Sequence, residues 1–152
     1  MNKTLNGKVI SINISEKKGV VKEEILEAIL VQEHGIKDDA HAGKWHRQVS
    51  LLGVESVEKM KKMNVKGLCN GSFAENITTQ GIELYSLPIG TKIHIGDTIQ
   101  EVTQIGKECH DGCAIKVQVG QCVMPKEGIF TRVLQGGKIQ KNDEIKVVIE
   151  GD

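Results

Sequence analysis

The sequence has no net charge, little proline and no long apolar stretch. Twenty basic and twenty acidic residues cancel, so we expect no basic surface of the kind that binds nucleic acid or an anionic membrane. No stretch approaches the roughly 18 apolar residues of a membrane span, and the polar start MNKTLNGKVISINIS lacks the apolar core of a signal peptide. We therefore predict a cytoplasmic protein that binds neither nucleic acid nor membrane.

No internal repeat, low-complexity stretch or linker divides the 152 residues. This length fits one domain, 1–152, whose core is large enough to fold without a structural metal. Nothing in the pattern indicates an oligomeric state. The chain has four cysteines, which in a reducing cytoplasm are more typical of metal or redox chemistry than of disulfides.

Seventeen glycines against two prolines suit a chain that reverses direction often. The stretches GKVISINIS and DEIKVVIE are β-branched, and in the second Ile145 and Val147 alternate with charged residues. The stretch TKIHIGDTIQEVTQIG alternates likewise, with turns expected at Gly90, Gly96 and Gly106. We predict a mainly β, barrel-like fold with one or a few short helices.

Two further stretches bear on secondary structure. GVESVEKMKKMNVKG places Val54, Val57 and Met60 at helical spacing, which predicts an amphipathic helix from Val54 to Met63 that covers one mouth or face of the barrel. KEEILEAILVQEHG is ambiguous, because its apolar spacing fits a helix while its Ile, Leu and Val content fits a buried strand. We favour a strand after Glu24.

The stretch DDAHAGKWHRQVSLLG is unusually polar and then abruptly apolar. It predicts a loop, residues 38–47, that leads into a strand. One interpretation is a solvated loop. A second is a metal site of Asp39, His41 and His46, since carboxylate and imidazole suit divalent ions.

We favour a third interpretation of this loop, an anion-binding pocket. Its donors would be His41, Lys44, His46 and Arg47, the last with a planar fork that matches phosphate. In the competing structural interpretation, Arg47 pairs with a nearby acid and serves stability alone. The candidate acids are Asp38, Asp39 and Glu55.

The stretch ECHDGCAIKVQVGQC holds three of the four cysteines, with His110 directly after the first. A zinc site from this spacing is weakly supported, because its second half offers Cys122 alone. Cys69 and Cys122 are better explained as small buried hydrophobic residues. Cys113 is either a resolving thiol or a residue of the barrel wall.

Cys109 has a different environment from the other cysteines. It lies between Lys107 and His110, in a glycine-flanked turn after a strand, where nearby cations favour thiolate over thiol. We therefore expect Cys109 to be the reactive or ligand-donating sulfur.

These polar stretches, together with SFAENITTQGIELYSLPIGTKIHIGD and CVMPKEGIFTRVLQGGKI, resemble the small stand-alone bacterial members of the MOSC family. This domain is named after the C-terminal part of eukaryotic molybdenum-cofactor sulfurase. The resemblance runs from about Gly7 to Ile149. It implies a barrel-like β fold, association with molybdenum cofactor, and a cysteine that carries sulfur as persulfide or ligates molybdenum. Cys109 matches that cysteine.

The resemblance implies a protein that binds molybdenum cofactor (molybdopterin) or carries sulfur during maturation or delivery of the cofactor. A cysteine desulfurase or a molybdoenzyme is the expected partner. No desulfurase domain and no lysine site for pyridoxal phosphate are evident, so sulfur generation is not expected. Two alternatives stay open: a cofactor-dependent reductase component, and a non-catalytic module that presents cofactor. The expected cofactor-binding residues are His41, Lys44, His46, Arg47, Cys109, His110 and Cys113.

Overall fold

The computed structural model describes residues 3–15, 23–40, 42–62, 75–106 and 127–149. In these ranges one α-helix, α1 (Val54–Lys62), and one short 3₁₀ turn (Leu84–Ser86) accompany eleven strands. Neither helical segment is long and apolar enough to cross a membrane. The strands are β1 (Lys3–Ile14), β2 (Glu23–Ile25), β3 (Glu27–Val31), β4 (Gly35–Ile36), β5 (Val49–Gly53), β6 (Ile77–Gln80), β7 (Lys92–Ile95), β8 (Thr98–Ile105), β9 (Ile129–Gln135), β10 (Gly137–Gln140) and β11 (Glu144–Ile149).

Seven of the described strands close into a barrel. Their order is β11-β7-β8-β9-β5-β6-β1, and β1 pairs back onto β11. The β2 strand extends the sheet beside β1. Neighbouring strands are antiparallel except β5 and β6, which pair in parallel across the connection that contains α1. The prediction of a mainly β barrel with a short helix is confirmed.

Alternating burial along the strands builds the core. In β11, Ile145 and Val147 are buried while Glu144 and Lys146 are exposed, because successive side chains of a strand point to opposite faces. Each such fully buried aliphatic side chain contributes about 1.5–3 kcal/mol to stability. The turns predicted at Gly90 and Gly96 are also confirmed, and Gly106 directly follows β8, next to residues outside the described ranges. All three have positive φ, a conformation that glycine adopts readily: Gly90, Gly96 and Gly106.

A second sheet, of order β10-β3-β4, packs on the barrel. In β3, Ala28 and Leu30 face the common core, and Ile29 and Val31 face outward. The ambiguous stretch therefore forms β2, a bend at Leu26 and β3, which confirms the strand interpretation.

The helix α1 confirms the amphipathic prediction, apart from Met63, which lies outside the described residues. Val57 is buried, and α1 packs against β5 and β6. The helix thus packs on the parallel strand pair, and it follows the end of β5 opposite to the end that the polar loop enters.

A buried polar cluster ties the start of β5 to β6 and β1. Asn76 Oδ1 accepts hydrogen bonds from Ser50 N (2.9 Å) and Ser50 Oγ (3.2 Å), and Asn76 Nδ2 donates to Asn13 O at 3.2 Å. Beside it, Thr78 Oγ1 donates to Glu75 Oε2 at 2.8 Å. Since all five residues are buried, these hydrogen bonds offset the cost of taking polar groups out of water.

We predict that Asn76→Ala lowers the free energy of unfolding by about 2–3 kcal/mol, because it leaves buried partners on Ser50 and Asn13 unsatisfied. Ser50→Ala removes only the hydroxyl and should cost about 1 kcal/mol. Urea unfolding of both variants measures the two values. A loss for Asn76→Ala no larger than that for Ser50→Ala would contradict the assignment of Asn76 as the centre of the cluster.

Candidate functional site

The polar loop, residues 38–47, is fixed to three other parts of the fold. Ala40 N donates to Ser15 O at 2.7 Å, and Gly43 N donates to His34 O at 2.7 Å. At its far end, Thr103 Oγ1 of β8 donates to His46 O. The prediction of a loop that leads into a strand is confirmed, since β5 begins at Val49. Hydrogen bonds to the rest of the fold therefore hold the described residues of the loop in place.

The side chain of Gln104, near the end of β8, holds both His46 and Arg47. Its Oε1 accepts from Arg47 Nε at 3.0 Å and lies 2.9 Å from His46 Nε2. Gln104 Nε2 donates to Gly106 O at 2.7 Å, which fixes the amide orientation because a carbonyl oxygen can only accept. His46 Nε2 must therefore carry a hydrogen. The Arg47 guanidinium also lies over the Phe130 ring, 5.3 Å from its centroid.

Arg47 keeps most of its donors available. The guanidinium has five N–H groups, and in the described part of the chain only Nε–H has a hydrogen-bond partner. The ion pairs of the structural interpretation, with Asp38, Asp39 or Glu55, do not form. Glu55 Oε2 instead accepts from Gly81 N at 2.9 Å. The Nη groups of a half-buried, held arginine are thus available to an anion.

The other candidate site residues of the loop do not come together in one group among the described residues. Lys44 is exposed and forms no ion pair within the described ranges. Asp39 Oδ1 accepts from Ser15 N at 3.1 Å, whereas His46 bonds to β8. No group of three possible metal ligands occurs among the described residues. His41 lies outside them, so the metal site of Asp39, His41 and His46 stays a prediction.

The base of segment 107–126 lies at the end of the β8–β9 hairpin. Ile105 pairs with Ile129, and Gly106 N donates to Gly128 O at 2.7 Å. Gly106 and Gly128 are therefore adjacent, and Gly106 lies two residues beyond Gln104. The predicted site residues of this segment, Cys109, His110 and Cys113, lie outside the described residues. So do Cys69 and Cys122, which were predicted to be buried hydrophobic residues.

A cavity of about 430 Å³ opens near the same hairpin base. Ser56 Oγ, in the first turn of α1, donates to Glu127 Oε1 at 2.7 Å inside it. Sequence reasoning found neither this pair nor Gln104. The lining residues are Gly53, Glu55, Ser56, Gly81, Ile82, Glu83, Leu84, Tyr85 and Glu127.

The sequence matches the MOSC domain over residues 38–146, a range that contains the anchored loop, Gln104 and the segment with Cys109. The chain belongs to the MOSC family. This family is associated with molybdenum-cofactor function. No curated protein matches the chain significantly.

Solved structures show the same fold at low sequence identity. The YuaD protein of Bacillus subtilis is similar over 99% of this chain and 100% of its own, with a TM-score of 0.82 and 19% identity. YiiM of Geobacillus stearothermophilus is similar over 95% of this MOSC chain and 75% of its own, with a TM-score of 0.69 and 21% identity. For YiiM of Escherichia coli the TM-score is 0.66, at 16% identity, over 95% of this chain and 71% of its own.

We predict that Gln104→Leu speeds hydrogen exchange of the Arg47 Nε–H about fivefold, because one hydrogen bond worth about 1 kcal/mol is lost. Exchange is measured on the arginine Nε–H signals of ¹⁵N-labelled protein. The control is Gln135→Leu, since the Gln135 side chain donates to Asp97 O at the far end of the same hairpin. If Arg47 exchanges equally fast in both variants, Gln104 does not hold it.

Proposed function

We propose that this MOSC domain binds molybdenum cofactor, or carries sulfur for it, with an anion-binding half at Arg47 and His46 and a sulfur half at Cys109. The observation that carries this proposal is the guanidinium of Arg47, which has its Nη donors available and is held by Gln104, near the end of the strand that leads to Cys109. Molybdopterin carries a phosphate, and a planar bidentate donor suits that group.

Chain connectivity supports the joining of the two halves. Gln104 contacts Arg47, and Gly106 accepts a hydrogen bond from the same Gln104 side chain. Cys109 follows Gly106 by three residues, which span at most about 11 Å when fully extended. The length of the chain therefore permits Cys109 to reach the proposed anion donors.

The side chains of the proposed site suit the phosphate and the metal of molybdenum cofactor. Arg47 Nη and His46 would hold the phosphate, and the Cys109 thiolate would hold molybdenum when cofactor is present, where the metal supplies redox and oxygen-transfer chemistry. The neighbours Lys107 and His110 favour the thiolate. Lys44 and His41, in the same loop, would add positive charge as the anion approaches.

Sulfur transfer needs no further group on this chain. The Cys109 thiolate would attack the outer sulfur of a persulfide on a cysteine desulfurase. The donor S–S bond breaks, the donor cysteine leaves as thiolate, and a persulfide forms on Cys109. A cysteine thiolate of a molybdoenzyme that is being matured would then attack this outer sulfur, so that a persulfide forms on that partner and Cys109 returns to the thiolate. The transfer is balanced, since one S–S bond replaces another.

We predict that Arg47→Ala weakens binding of a phosphate monoester such as sn-glycerol 3-phosphate by about 10- to 150-fold, which corresponds to the loss of a charge-assisted hydrogen bond of roughly 1.5–3 kcal/mol. Arg47→Lys should restore only part of the loss, because a point charge cannot form the bidentate fork. Isothermal titration measures the affinities, with the melting temperature recorded for each variant.

The control for this series is Arg132→Ala. Arg132 lies on β9 like Phe130, but its guanidinium pairs with Glu101 at 2.9 Å and Glu33 at 3.7 Å, so its removal should leave phosphate affinity unchanged. Unchanged affinity in Arg47→Ala, with a lowered melting temperature, would show that Arg47 is structural and would overturn the anion half of the proposal.

We predict that iodoacetamide modifies Cys109 faster than Cys69 and Cys122 in the folded protein near neutral pH, because the thiolate is the nucleophile. Peptide mapping after short reaction times gives the relative rates. A Cys113→Ser variant that still accepts sulfur would assign Cys113 a structural role. If Cys109 reacts slowest of the four cysteines, the sulfur half of the proposal fails.

A further inference from the structure

The cavity beside the first turn of α1 contains no described residue of the polar loop, 38–47. Its described lining residues include three carboxylates, from α1, from the turn after β6 and from the hairpin base: Glu55, Glu83 and Glu127. No lysine, arginine or histidine occurs among these described lining residues. Because carboxylates that share a cavity disfavour each other's charge, a cation bound between them would be stabilised.

Two of the carboxylates keep an oxygen available. Glu55 Oε2 accepts from Gly81 N at 2.9 Å, and Glu83 Oε1 accepts from Ser86 Oγ. Neither Glu55 nor Glu83 forms an ion pair with any residue that the structure describes. The other oxygen of each side chain can therefore accept hydrogen bonds from a ligand.

The hydroxyl of Thr79 is buried beside the same cavity. Thr79 pairs with Gly53, a lining residue, across the parallel strands β5 and β6. A Cβ atom built on Gly53 would lie 2.9 Å from Glu55 Oε1 and 3.9 Å from Thr79 Oγ1. Since Gly53 has no side chain, the two oxygens face one space. Thr79 is 0% exposed, and its Oγ1 has no hydrogen-bond partner within the described part of the chain.

A buried hydroxyl without a partner is unfavourable and uncommon in folded proteins. A ligand that donates hydrogen bonds would supply the partner. An alkylammonium group suits this space, because it has three N–H donors, no acceptor and a positive charge. A metal ion suits it less well, since no group of three possible metal ligands occurs among the described residues.

We propose that this cavity is a further binding site, for an aliphatic diamine. One ammonium group donates to Glu55 Oε1 and Thr79 Oγ1, and the exposed side chain of Glu55 adjusts to admit it. The carbon chain lies against the apolar lining residues Ile82 and Leu84, and the second ammonium group pairs with Glu83. This site goes beyond the proposed function, because it uses neither the anion donors nor a cysteine.

Isothermal titration of the full chain with 1,4-diaminobutane tests the site. Nα-acetyl-lysine N-methylamide carries one ammonium group on the same four-carbon chain and represents a lysine of a partner protein. The third compound, 1-butanol, has no charge. We expect 1,4-diaminobutane to bind about two- to fivefold tighter than the lysine compound, the contribution of one additional partly exposed ion pair. We expect no binding of 1-butanol.

Two substitutions test the ligand groups. Glu55→Gln should weaken binding of 1,4-diaminobutane about 10- to 150-fold, because it removes the charge and keeps an oxygen for Gly81 N. Thr79→Val should weaken binding about tenfold. The melting temperature of Thr79→Val should stay the same or rise, because an apolar side chain of the same shape leaves no buried hydroxyl unpaired.

The matched control for Thr79→Val is Thr78→Val, at the next position of β6. The Thr78 hydroxyl has two hydrogen-bond partners, so its loss should lower the melting temperature and leave the affinity unchanged. The control for Glu55→Gln is Glu27→Gln, on the outer sheet, where Glu27 pairs with Lys138 at 2.9 Å. This variant should bind 1,4-diaminobutane as the wild type does.

Unchanged affinity in Glu55→Gln or in Thr79→Val would overturn the inference. So would a lowered melting temperature in Thr79→Val, because the hydroxyl would then have a partner within the protein. Binding of the lysine compound as tight as that of 1,4-diaminobutane would replace the diamine by a lysine of a partner protein and contradict the assignment. If neither amine binds, the inference fails, while the proposed function still depends on phosphate binding at Arg47 alone.

Discussion

The carboxamide of Gln104 is the contact on which the candidate site depends. Its oxygen accepts from Arg47 Nε and His46 Nε2, and its amide group donates to Gly106 O. One side chain therefore contacts both proposed anion donors and the strand end that leads to Cys109. Buried hydrogen bonds between Asn76 and Ser50 in addition hold the start of β5, which lies two residues beyond Arg47. A loop on a barrel becomes a preorganised site through such long-range hydrogen bonds.

Local patterns were sufficient to predict most of the fold. Alternation in the last strand predicted which of its residues are buried, and this was confirmed for Ile145 and Val147. Spacing predicted the helix that begins at Val54, and the turn glycines lie between strands as expected. The stretch after Glu24 was harder, because its period fits helix and strand alike. It forms strands because the outer sheet gives Leu30 a buried place against the barrel.

The site was less predictable, because its contacts join residues far apart in sequence. Arg47 was a candidate from its residue type and neighbours, yet its partner Gln104 lies 57 positions away. A lone glutamine in an alternating strand gives no signal of that contact. Glu55 was one of the acids expected to pair with Arg47. It instead accepts a hydrogen bond from Gly81 N, because it lies in α1, beyond the far end of β5. The role of Cys109 rests on its charged neighbours and on family membership.

The central claim is that Arg47 and Cys109 belong to one cofactor site. Its most direct test is the molybdenum, pterin and persulfide content of protein purified without oxygen from cells that make molybdenum cofactor. The account predicts that wild-type protein and Arg132→Ala retain molybdopterin, that Arg47→Ala and Cys109→Ser each lose it, and that extra sulfur occurs only where Cys109 is intact. Molybdopterin at the wild-type level in both Arg47→Ala and Cys109→Ser, or neither molybdopterin nor persulfide on wild-type protein, would contradict the account.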